Sequence, residues 1–357
     1  MNGLNLLQQY IKEQELTGVI LISPINLHYF AGFTGTTGFA IITQDKAFMI
    51  TDFRYTEQAT KQCEGYTVIQ YETTVMDTLV DIFNEHHIHE GLFGIEGKQM
   101  PVDTYETLCD TLDERFNFTS INFAKLRAVK REDELDLLRK AAKIGDDAFA
   151  ALLPQLKVGM TENEARIILE LEMLKRGSEE PSFATIVASG NRSSMPHGVA
   201  SDKVIEAGDF VTFDFGAVYK GYHSDMTRTI VMGPASELQK KLYGIVLEAQ
   251  KRGVAAVRAG ITGKELDAVC RDYIKEHGYT KEFNHGTGHG VGLEIHEEPV
   301  VNTKSDTVFT ENMIITVEPG IYITGTIGLR IEDSVIVKSD GYEVLTHSPK
   351  ELIEIGI

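Results

Sequence analysis

The chain of 357 residues carries 53 acidic and 34 basic side chains, which gives a formal net charge of −19, and 42% of its residues are hydrophobic. This length and composition are those of a globular protein with room for two domains and a large core. The negative charge argues against nucleic acid or an anionic membrane as a partner, because both require a basic surface.

The N-terminal segment MNGLNLLQQYIKEQEL predicts an amphipathic helix rather than a signal peptide, since it lacks a basic start and a long apolar run. No apolar run elsewhere in the chain reaches transmembrane length. Cys63, Cys109 and Cys270 are far apart and form no CxxC pair, which argues against a disulfide framework and a cysteine-rich zinc site. We therefore expect a cytoplasmic protein in a reducing compartment.

An α/β domain is predicted over residues 1–124, where strand and helix patterns alternate. The strand patterns are GVILIS (18–23), GFAIIT (38–43) and AFMITD (47–52), and the helical patterns are TTVMDTLVDIFNEHH (73–87) and PVDTYETLCDTLDERF (101–116). A basic segment at 125–131 predicts a linker. A long amphipathic helix then opens a second domain at 132–357.

The second domain contains an internal repeat, in which residues 156–177 align without gaps with residues 257–278. Both copies carry a capping box that starts a helix, Thr161 with Glu164 and Thr262 with Glu265, and both helices end at a glycine. A helical stretch precedes each copy, and glycine-rich β-type sequence follows each. This pattern predicts two αα-plus-β halves, although the boundaries of unrelated helices can also look alike.

The first half ends in a predicted hairpin, DFVTFDFGAVYKGYHSDMTRTIVMG. If Val218 pairs with Gly221, the two strands place two aspartates directly opposite each other. These are Asp214 and Asp225, whose Cβ atoms would then be roughly 5 Å apart on one face. Two opposed carboxylates repel each other, so this arrangement calls for something that neutralises them.

The second half repeats the arrangement in MIITVEPGIYITGTIGLRIEDSVIV, where a loop centred on Gly325 would place Glu318 opposite Glu332. Four carboxylates from two related hairpins can converge on one pocket. The alternative is that they are ordinary solvent-facing acids on the strands. Oxygen ligands with one or two imidazoles suit Mn²⁺, Fe²⁺, Co²⁺ or Zn²⁺, and two such cations about 3.5–4 Å apart could activate a shared water.

Candidate imidazoles lie upstream of each hairpin. His197 precedes the first, and His285, His289 and His296 lie in NHGTGHGVGLEIHEEP before the second, where glycines allow close approach to a ligand. The sequence HEEPV lacks the second histidine of an HExxH zinc motif, and no GxGxxG or phosphate-binding loop is present. The absence of GxSxG argues against a serine hydrolase.

Taken in order, FDFG, HSDMTRT, HGTGHGVG, VEPGIY and RIEDSV resemble the five motifs of the pita-bread metallopeptidases. That family includes methionine aminopeptidase, aminopeptidase P and prolidase, with creatinase as a metal-free relative. The α/β N-terminal domain resembles the creatinase/prolidase type, which methionine aminopeptidases generally lack. The resemblance implies a creatinase-like N-terminal domain followed by an α+β pita-bread catalytic domain with a pseudo-twofold repeat.

The resemblance also implies a dinuclear site with manganese as the first expectation and cobalt or zinc as alternatives. Its five ligands would be Asp214, Asp225, His289, Glu318 and Glu332. By the same resemblance, the metals would activate a water for attack on the scissile carbonyl, and Glu318 would transfer its proton to the leaving nitrogen. His197 and His296 resemble the histidines that position the carbonyl and stabilise the oxyanion.

Further residues are expected around this site. His285 matches a position that lines the substrate pocket in the family. Strand parity places Arg330 on the face of Glu332, where it could orient a carboxylate, and Thr227 near Asp225, where it could donate a hydrogen bond. A substrate contact is expected for Tyr322. For Arg54, in TDFRY, the expectation is that it reaches an active site, that of a neighbouring subunit included; a surface salt bridge is the alternative.

A proline-containing peptide is the expected substrate, and a homodimer is expected by analogy. Dipeptidases of this family often have an arginine directly after HE-x-P, where this chain has Val300. The sequence therefore favours an Xaa-Pro aminopeptidase, which removes the residue before proline from longer peptides. The alternatives are an Xaa-Pro dipeptidase (prolidase) and an inactive peptide-binding module; such modules and creatinase lack metal ligands that this chain keeps.

Overall fold

The computed structural model describes residues 2–356 and divides the chain into two compact units, Met1–Leu126 and Arg127–Ile357. A short helix at the division, Ala124–Arg127, is the sixth helix of the chain, α6. Among residues 2–356, no helix combines the length and the apolar character needed to cross a membrane.

The N-terminal unit is built on one mixed six-stranded sheet with strand order β4-β3-β2-β1-β5-β6. Its strands are β1 (Gly18–Leu21), β2 (Phe39–Thr43), β3 (Ala47–Thr51), β4 (Thr67–Gln70), β5 (Gly91–Ile95) and β6 (Phe116–Ser120). Its helices are α1 (Gly3–Glu13), α2 (Pro24–Ala31), α3 (Thr56–Gln62), α4 (Val75–Glu85) and α5 (Val102–Leu112). The predicted strands β1–β3 and helices α1, α4 and α5 are confirmed. The edge strands β4 and β6 were not predicted. They are only partly buried, and their sequences lack a clear apolar pattern.

The second unit contains two helix pairs with the same layout. They are α7 (Glu132–Leu152) with α8 (Glu162–Lys175), and α9 (Glu237–Ala256) with α10 (Gly263–Glu276). The predicted capping boxes are confirmed, because Thr161 Oγ1 accepts a hydrogen bond from the Glu164 amide at 3.1 Å and Thr262 Oγ1 accepts one from the Glu265 amide at 3.2 Å. The two halves therefore start in the same way.

Strands follow each helix pair. In the first half they are β7 (Ile186–Ser189), β8 (Phe210–Phe215), β9 (Val218–Tyr219), β10 (Tyr222–His223) and β11 (Met226–Met232). In the second half they are β12 (Gly288–Gly290), β13 (Glu297–Val301), β14 (Ile314–Val317), β15 (Gly320–Ile323), β16 (Ile327–Arg330), β17 (Asp333–Lys338), β18 (Gly341–Val344) and β19 (Ile353–Ile355). Strand β19 returns to the first half and pairs with β11 in the sheet β19-β11-β8-β7.

The register predicted for the first hairpin is wrong by two residues. Asp214 pairs with Thr227, and Asp225 lies diagonally across the ladder instead of directly opposite. The cause is the turn, which uses Lys220 and Gly221 as its two central residues, both with positive φ (51° and 78°). Positive φ at both central positions is typical of a type I′ hairpin turn, and glycine at the second one permits it. Because the register differs by an even number of residues, the side chains of both aspartates still lie on the same face of the hairpin.

The register predicted for the second hairpin is confirmed. Gly320 pairs with Arg330 and Val317 pairs with Asp333, so Glu318 and Glu332 lie opposite each other between the two ladders. At this point the backbone pairing opens. The Glu318 amide donates instead to the Thr287 carbonyl at 2.8 Å, and the Glu332 amide donates to the Thr227 carbonyl at 3.1 Å. The second contact joins the two hairpins at their acidic residues.

Each helix pair packs against its own hydrophobic core. In the first half, Phe213 of β8 is fully buried and packs edge-on against Phe149 of α7, with ring centroids 5.9 Å apart. The second core gathers the apolar face of α9 and α10 against β14, β16 and β17. Because Phe213 is adjacent to Asp214, packing of the first core fixes the start of the acidic cluster.

Phe213→Ala is expected to lower the free energy of unfolding by about 3–5 kcal/mol, through lost burial and the cavity left behind. Urea unfolding of the intact chain measures this. The matched control is Phe53→Ala, because the Phe53 side chain is 76% exposed, and it should change stability by less than about 0.5 kcal/mol. Equal effects of the two substitutions would contradict this description of the core.

Candidate metal centre and substrate pocket

Three of the predicted acids meet in one buried cluster. Asp214 lies in β8, Asp225 directly before β11, and Glu332 directly before β17. Each offers a carboxylate oxygen, and these three oxygens lie within 4.8 Å of one another. The two joined hairpins therefore bring residues from both halves to one place.

His289 and Glu318 complete the cluster. His289 Nε2 lies 3.4 Å from Asp225 Oδ2 and 3.5 Å from Glu318 Oε1. The other ring nitrogen, Nδ1, lies 3.0 Å from the Gly290 carbonyl and can only donate to it. Burial lowers the pKa of His289, which favours the neutral ring, and the Gly290 carbonyl selects the tautomer that carries the proton on Nδ1. Nε2 then presents a lone pair to two carboxylates, which suits a metal ligand and not an ion pair.

The carboxylates destabilise one another. Burial first, then the neighbouring acids Glu332, Asp214 and Glu318, raise the pKa of Asp225 well above its usual range. Burial and the charges of Glu318 and Asp214 do the same for the pKa of Glu332. The pKa of Glu318 rises to about 7, chiefly because it is buried. So many buried acids call for more positive charge than one arginine supplies.

The donor set fits divalent cations. Within residues 2–356, Asp214 Oδ1 and Glu332 Oε1 are buried oxygens without a hydrogen-bond partner. Buried acceptors are normally satisfied, so two such atoms beside an unprotonated imidazole nitrogen indicate a missing ligand. Four carboxylates and one imidazole suit first-row divalent metals.

Arg330 is the cation within this cluster. Its Nη2 donates to Asp214 Oδ2 at 2.5 Å, and its Nη1 donates to the Tyr322 hydroxyl at 2.6 Å. The expectation that Arg330 orients a carboxylate agrees with this contact, although the carboxylate is that of Asp214 and not that of Glu332. The Tyr322 hydroxyl lies 3.1 Å from His285 Nε2 and can donate to it. Tyr322 thus lies behind the cluster and links Arg330 to His285.

Two threonines hold the glutamates. The Thr227 hydroxyl donates to Glu332 Oε2 at 2.6 Å, which corrects the expectation that it would bond to Asp225. The shifted register explains the difference, because it pairs Thr227 with Asp214 and brings it next to the Glu332 segment. The Thr316 hydroxyl donates to Glu318 Oε1 at 3.1 Å. Each hydroxyl thus fixes one oxygen of a cluster carboxylate.

Two glycines allow the backbone segments around the acidic cluster to approach one another closely. A side chain at Gly216, which the register places opposite Asp225, would put its Cβ 1.8 Å from the Ser224 carbonyl oxygen. A Cβ at Gly288, next to His289, would lie 1.9 Å from the Thr316 carbonyl oxygen. Only glycine fits at either position, which explains two glycines of the motifs FDFG and HGTGHG.

A pocket of about 490 Å³ opens onto the cluster. All five acid and imidazole residues line it, and so do Arg330, His197, His285 and His296. The rings of His289 and His296 lie 4.4 Å apart. Apolar residues form much of the remaining wall, namely Phe183, Ile186, Val199, Ile295 and Val300. The shape and lining suit a small peptide whose apolar parts are buried while its amide faces the acids.

Arg54 belongs to the N-terminal unit. Its side chain is 58% exposed and forms a two-bond salt bridge with Asp52, with Nη2 2.7 Å from Oδ2. This is the surface salt bridge that the sequence left as the alternative. The contact of Arg54 with a neighbouring subunit remains a prediction.

Two buried carboxylates near the pocket were not predicted. Glu162 bonds to Ser189, Arg192 and Ser201 around His197. Glu297 follows His296, and its Oε2 accepts a hydrogen bond from Lys130 Nζ at 2.8 Å. In the sequence, Glu162 is one of two acids in the first turn of a helix, and Glu297 is one of three glutamates near His296. Nothing in the local pattern separates them from exposed acids.

Two family profiles match the chain: residues 136–339 match Metallopeptidase family M24, and residues 4–129 match the Creatinase/Prolidase N-terminal domain. The structure is similar to that of an Xaa-Pro dipeptidase from Bacillus anthracis, with a TM-score of 0.95 and 47% identity over 99% of both chains. An X-Pro aminopeptidase from Thermotoga maritima matches with a TM-score of 0.89 and 37% identity, over 96% of this chain and 98% of that one. The Xaa-Pro dipeptidase of Pyrococcus furiosus is 39% identical over 97% of this chain and 98% of its own length.

Proposed function

The chain belongs to metallopeptidase family M24, and we propose on that basis that it is a dinuclear metal-dependent exopeptidase that hydrolyses Xaa-Pro dipeptides. The observation that carries the proposal is the buried cluster of four carboxylates and His289 at the end of a peptide-sized pocket. In an inactive binding module, the mutual repulsion of these buried carboxylates would destabilise the fold and serve no function.

Asp214, Asp225, His289, Glu318 and Glu332 would hold the metals. When bound, two divalent cations supply Lewis-acid polarisation of the scissile carbonyl and lower the pKa of the attacking water. Manganese is our first choice of metal, because oxygen-rich sites with one imidazole suit it. Metal analysis of the purified chain identifies the ion.

The chain's own residues would transfer the proton and stabilise the oxyanion. Glu318 lines the pocket and the Thr316 hydroxyl orients its carboxylate, which can take the proton of the attacking water and deliver it to the leaving nitrogen. His197 and His296 line the same pocket and can donate hydrogen bonds to the carbonyl oxygen as its negative charge develops. His285 and Arg330 form the wall beside them.

Dipeptidase activity is the better supported of the two Xaa-Pro specificities. Similarity to the dipeptidases of Bacillus anthracis and Pyrococcus furiosus extends over nearly the whole chain. This favours the alternative that the sequence left open over its first choice of aminopeptidase. The aminopeptidase remains a second candidate, because Val300 puts an apolar side chain in the pocket wall and the Thermotoga maritima aminopeptidase is also similar.

A panel of Xaa-Pro dipeptides and Xaa-Pro-Xaa tripeptides, with Xaa-Ala dipeptides as control, tests the proposal. We expect kcat/KM for the dipeptides to exceed that for the tripeptides by at least about tenfold, equivalent to about 1.4 kcal/mol of transition-state binding. The Xaa-Ala control should be cleaved more slowly still. A preference for tripeptides would restore the aminopeptidase, and cleavage of neither class would overturn the proposal.

We further propose a homodimer in a reducing cytoplasm. Most soluble oligomers are symmetric homo-oligomers, of which dimers are the commonest. The three free cysteines support the reducing compartment. Sedimentation velocity of the purified chain measures the oligomeric state, and a sedimentation coefficient typical of a 39.7 kDa monomer would contradict the dimer.

A further inference from the structure

His197 lies in an irregular segment that regular secondary structure does not hold in place. We call residues 189–201 the His197 loop; it begins at the last residue of β7 and contains the short 3₁₀ turn Gly190–Ser194 and a single β-bridge, from Val199 to Ile186. A side chain that must meet a carbonyl oxygen at hydrogen-bond distance needs a fixed backbone. Something outside the loop must therefore hold it.

Glu162 holds both ends of this loop. It is fully buried and accepts five hydrogen bonds, all from the His197 loop. At one end the amide and the hydroxyl of Ser189 both donate at 2.8 Å. At the other end the amide and the hydroxyl of Ser201 donate at 3.1 and 2.6 Å. The Arg192 guanidinium, from the middle of the loop, pairs with the same carboxylate.

The loop held in this way contacts the acidic cluster directly. The Pro196 carbonyl, next to His197, accepts a hydrogen bond from Arg330 Nη1 at 3.2 Å. The Ser193 hydroxyl accepts one from the Gly328 amide at 2.9 Å, on the strand that carries Arg330. A displacement of the loop would therefore move His197 relative to the carboxylates.

The internal repeat shows that the helix does not require this glutamate. In the aligned repeat, Gly263 occupies the position of Glu162 as the first residue of α10, and α10 has the same length and the same capping box as α8. A side chain at Gly263 would put its Cβ 2.4 Å from the Val300 carbonyl oxygen. The buried carboxylate thus belongs to the half whose loop carries His197.

We propose that Glu162 is a positioning residue, which fixes His197 in the pocket by clamping both ends of the His197 loop. The role assigned to His197 rests on the proposed function. The clamp itself rests on the five contacts. Charged acceptors form the stronger hydrogen bonds, so one buried carboxylate can hold several donors at once.

The test is a double-mutant cycle with Glu162→Gln and His197→Ala, measured as kcat and KM on an Xaa-Pro dipeptide. Glutamine keeps the size but loses the charge and points an NH₂ group at donors. We expect Glu162→Gln alone to lower kcat/KM about 10- to 100-fold, since small misplacements of a reacting group have effects of this order. In the His197→Ala background the same substitution should change kcat/KM by less than about threefold. An equal loss in both backgrounds would overturn the positioning role.

A second measurement does not depend on activity. Hydrogen–deuterium exchange in residues 190–200 should accelerate in Glu162→Gln, and unchanged exchange would overturn the clamp. If Glu162→Gln does not fold, Ser201→Ala removes one donor and enters the same cycle and the same exchange measurement. If the wild-type chain cleaves no Xaa-Pro peptide, the proposed function fails, while the exchange result still decides the clamp.

The matched control is Glu265→Gln. Glu265 accepts hydrogen bonds from the amide and the hydroxyl of Thr262, both at 2.8 Å, and so holds a helix start outside the pocket with the same chemistry. We expect its kcat/KM to remain within about twofold of wild type, and exchange in the His197 loop to be unchanged. Loss of activity comparable to that of Glu162→Gln would show a general sensitivity to lost carboxylates and would contradict the proposal.

Discussion

Asp225→Asn is expected to abolish peptide hydrolysis and to leave the fold intact. Asp225 is buried, its Oδ2 faces His289 Nε2 at 3.4 Å, and it lies within the cluster of carboxylate oxygens. An amide has nearly the same shape but only one acceptor oxygen and no charge, so it binds a cation far more weakly. We expect kcat/KM to fall by about 10³-fold or more, equivalent to about 4 kcal/mol.

Steady-state kinetics on an Xaa-Pro dipeptide, circular dichroism and metal analysis measure this outcome together. Asp147→Asn is the control, because Asp147 lies on the surface of α7 and pairs with Lys143 at 2.9 Å; such exposed pairs contribute little. Turnover of Asp225→Asn within about tenfold of wild type, with unchanged metal content, would show that Asp225 is not a ligand.

Exhaustive chelation is expected to reduce activity to background and to lower the melting temperature. Without cations, the buried carboxylates of the cluster keep their mutual repulsion and two oxygens remain unsatisfied. A ligand that binds only the folded state at 100 times its Kd adds about 2.7 kcal/mol to stability. A shift of this size changes the melting temperature of a protein this large by several degrees.

Calorimetry with and without added Mn²⁺ measures the stability, and a dipeptide assay measures the activity. Manganese should restore both in the wild-type chain. In Asp225→Asn the same addition should raise the melting temperature less, which ties the stabilisation to this cluster. Full activity of a chain shown by analysis to be free of metal would refute the proposed mechanism.

Much of this architecture could be predicted from local patterns. Membership of family M24 and the relatives' structures confirm the α/β N-terminal domain, the pita-bread catalytic domain and the family resemblance. The predicted pairing of Glu318 opposite Glu332 is confirmed, because the loop around Gly325 fixes the register of this hairpin. Asp214 and Asp225 do not lie directly opposite each other, because the turn lies one residue later in the chain than predicted. A turn shifted by one residue shifts the pairing register by two.

Contacts distant in sequence could not be predicted. Glu162 meets Ser189 and Ser201 from 27 and 39 residues away, and nothing in a helix start predicts those partners. Arg330 reaches Asp214 across 116 residues, so strand parity gave its face but not the carboxylate it binds. The preference for an aminopeptidase rested on a single observation, that Val300 stands where dipeptidases often have an arginine. The pocket also presents His197, His285 and Arg330 to a substrate.

The turn at Lys220 and Gly221 has a consequence for how this hairpin can change in evolution. Side chains alternate between the two faces of a strand, so inserting or deleting one residue in the turn would move one aspartate to the opposite face. A change of two residues would keep Asp214 and Asp225 together, as the diagonal pairing already shows. Active descendants of this chain should therefore vary the length of this hairpin in even steps, and lineages with an odd step should have lost the reaction.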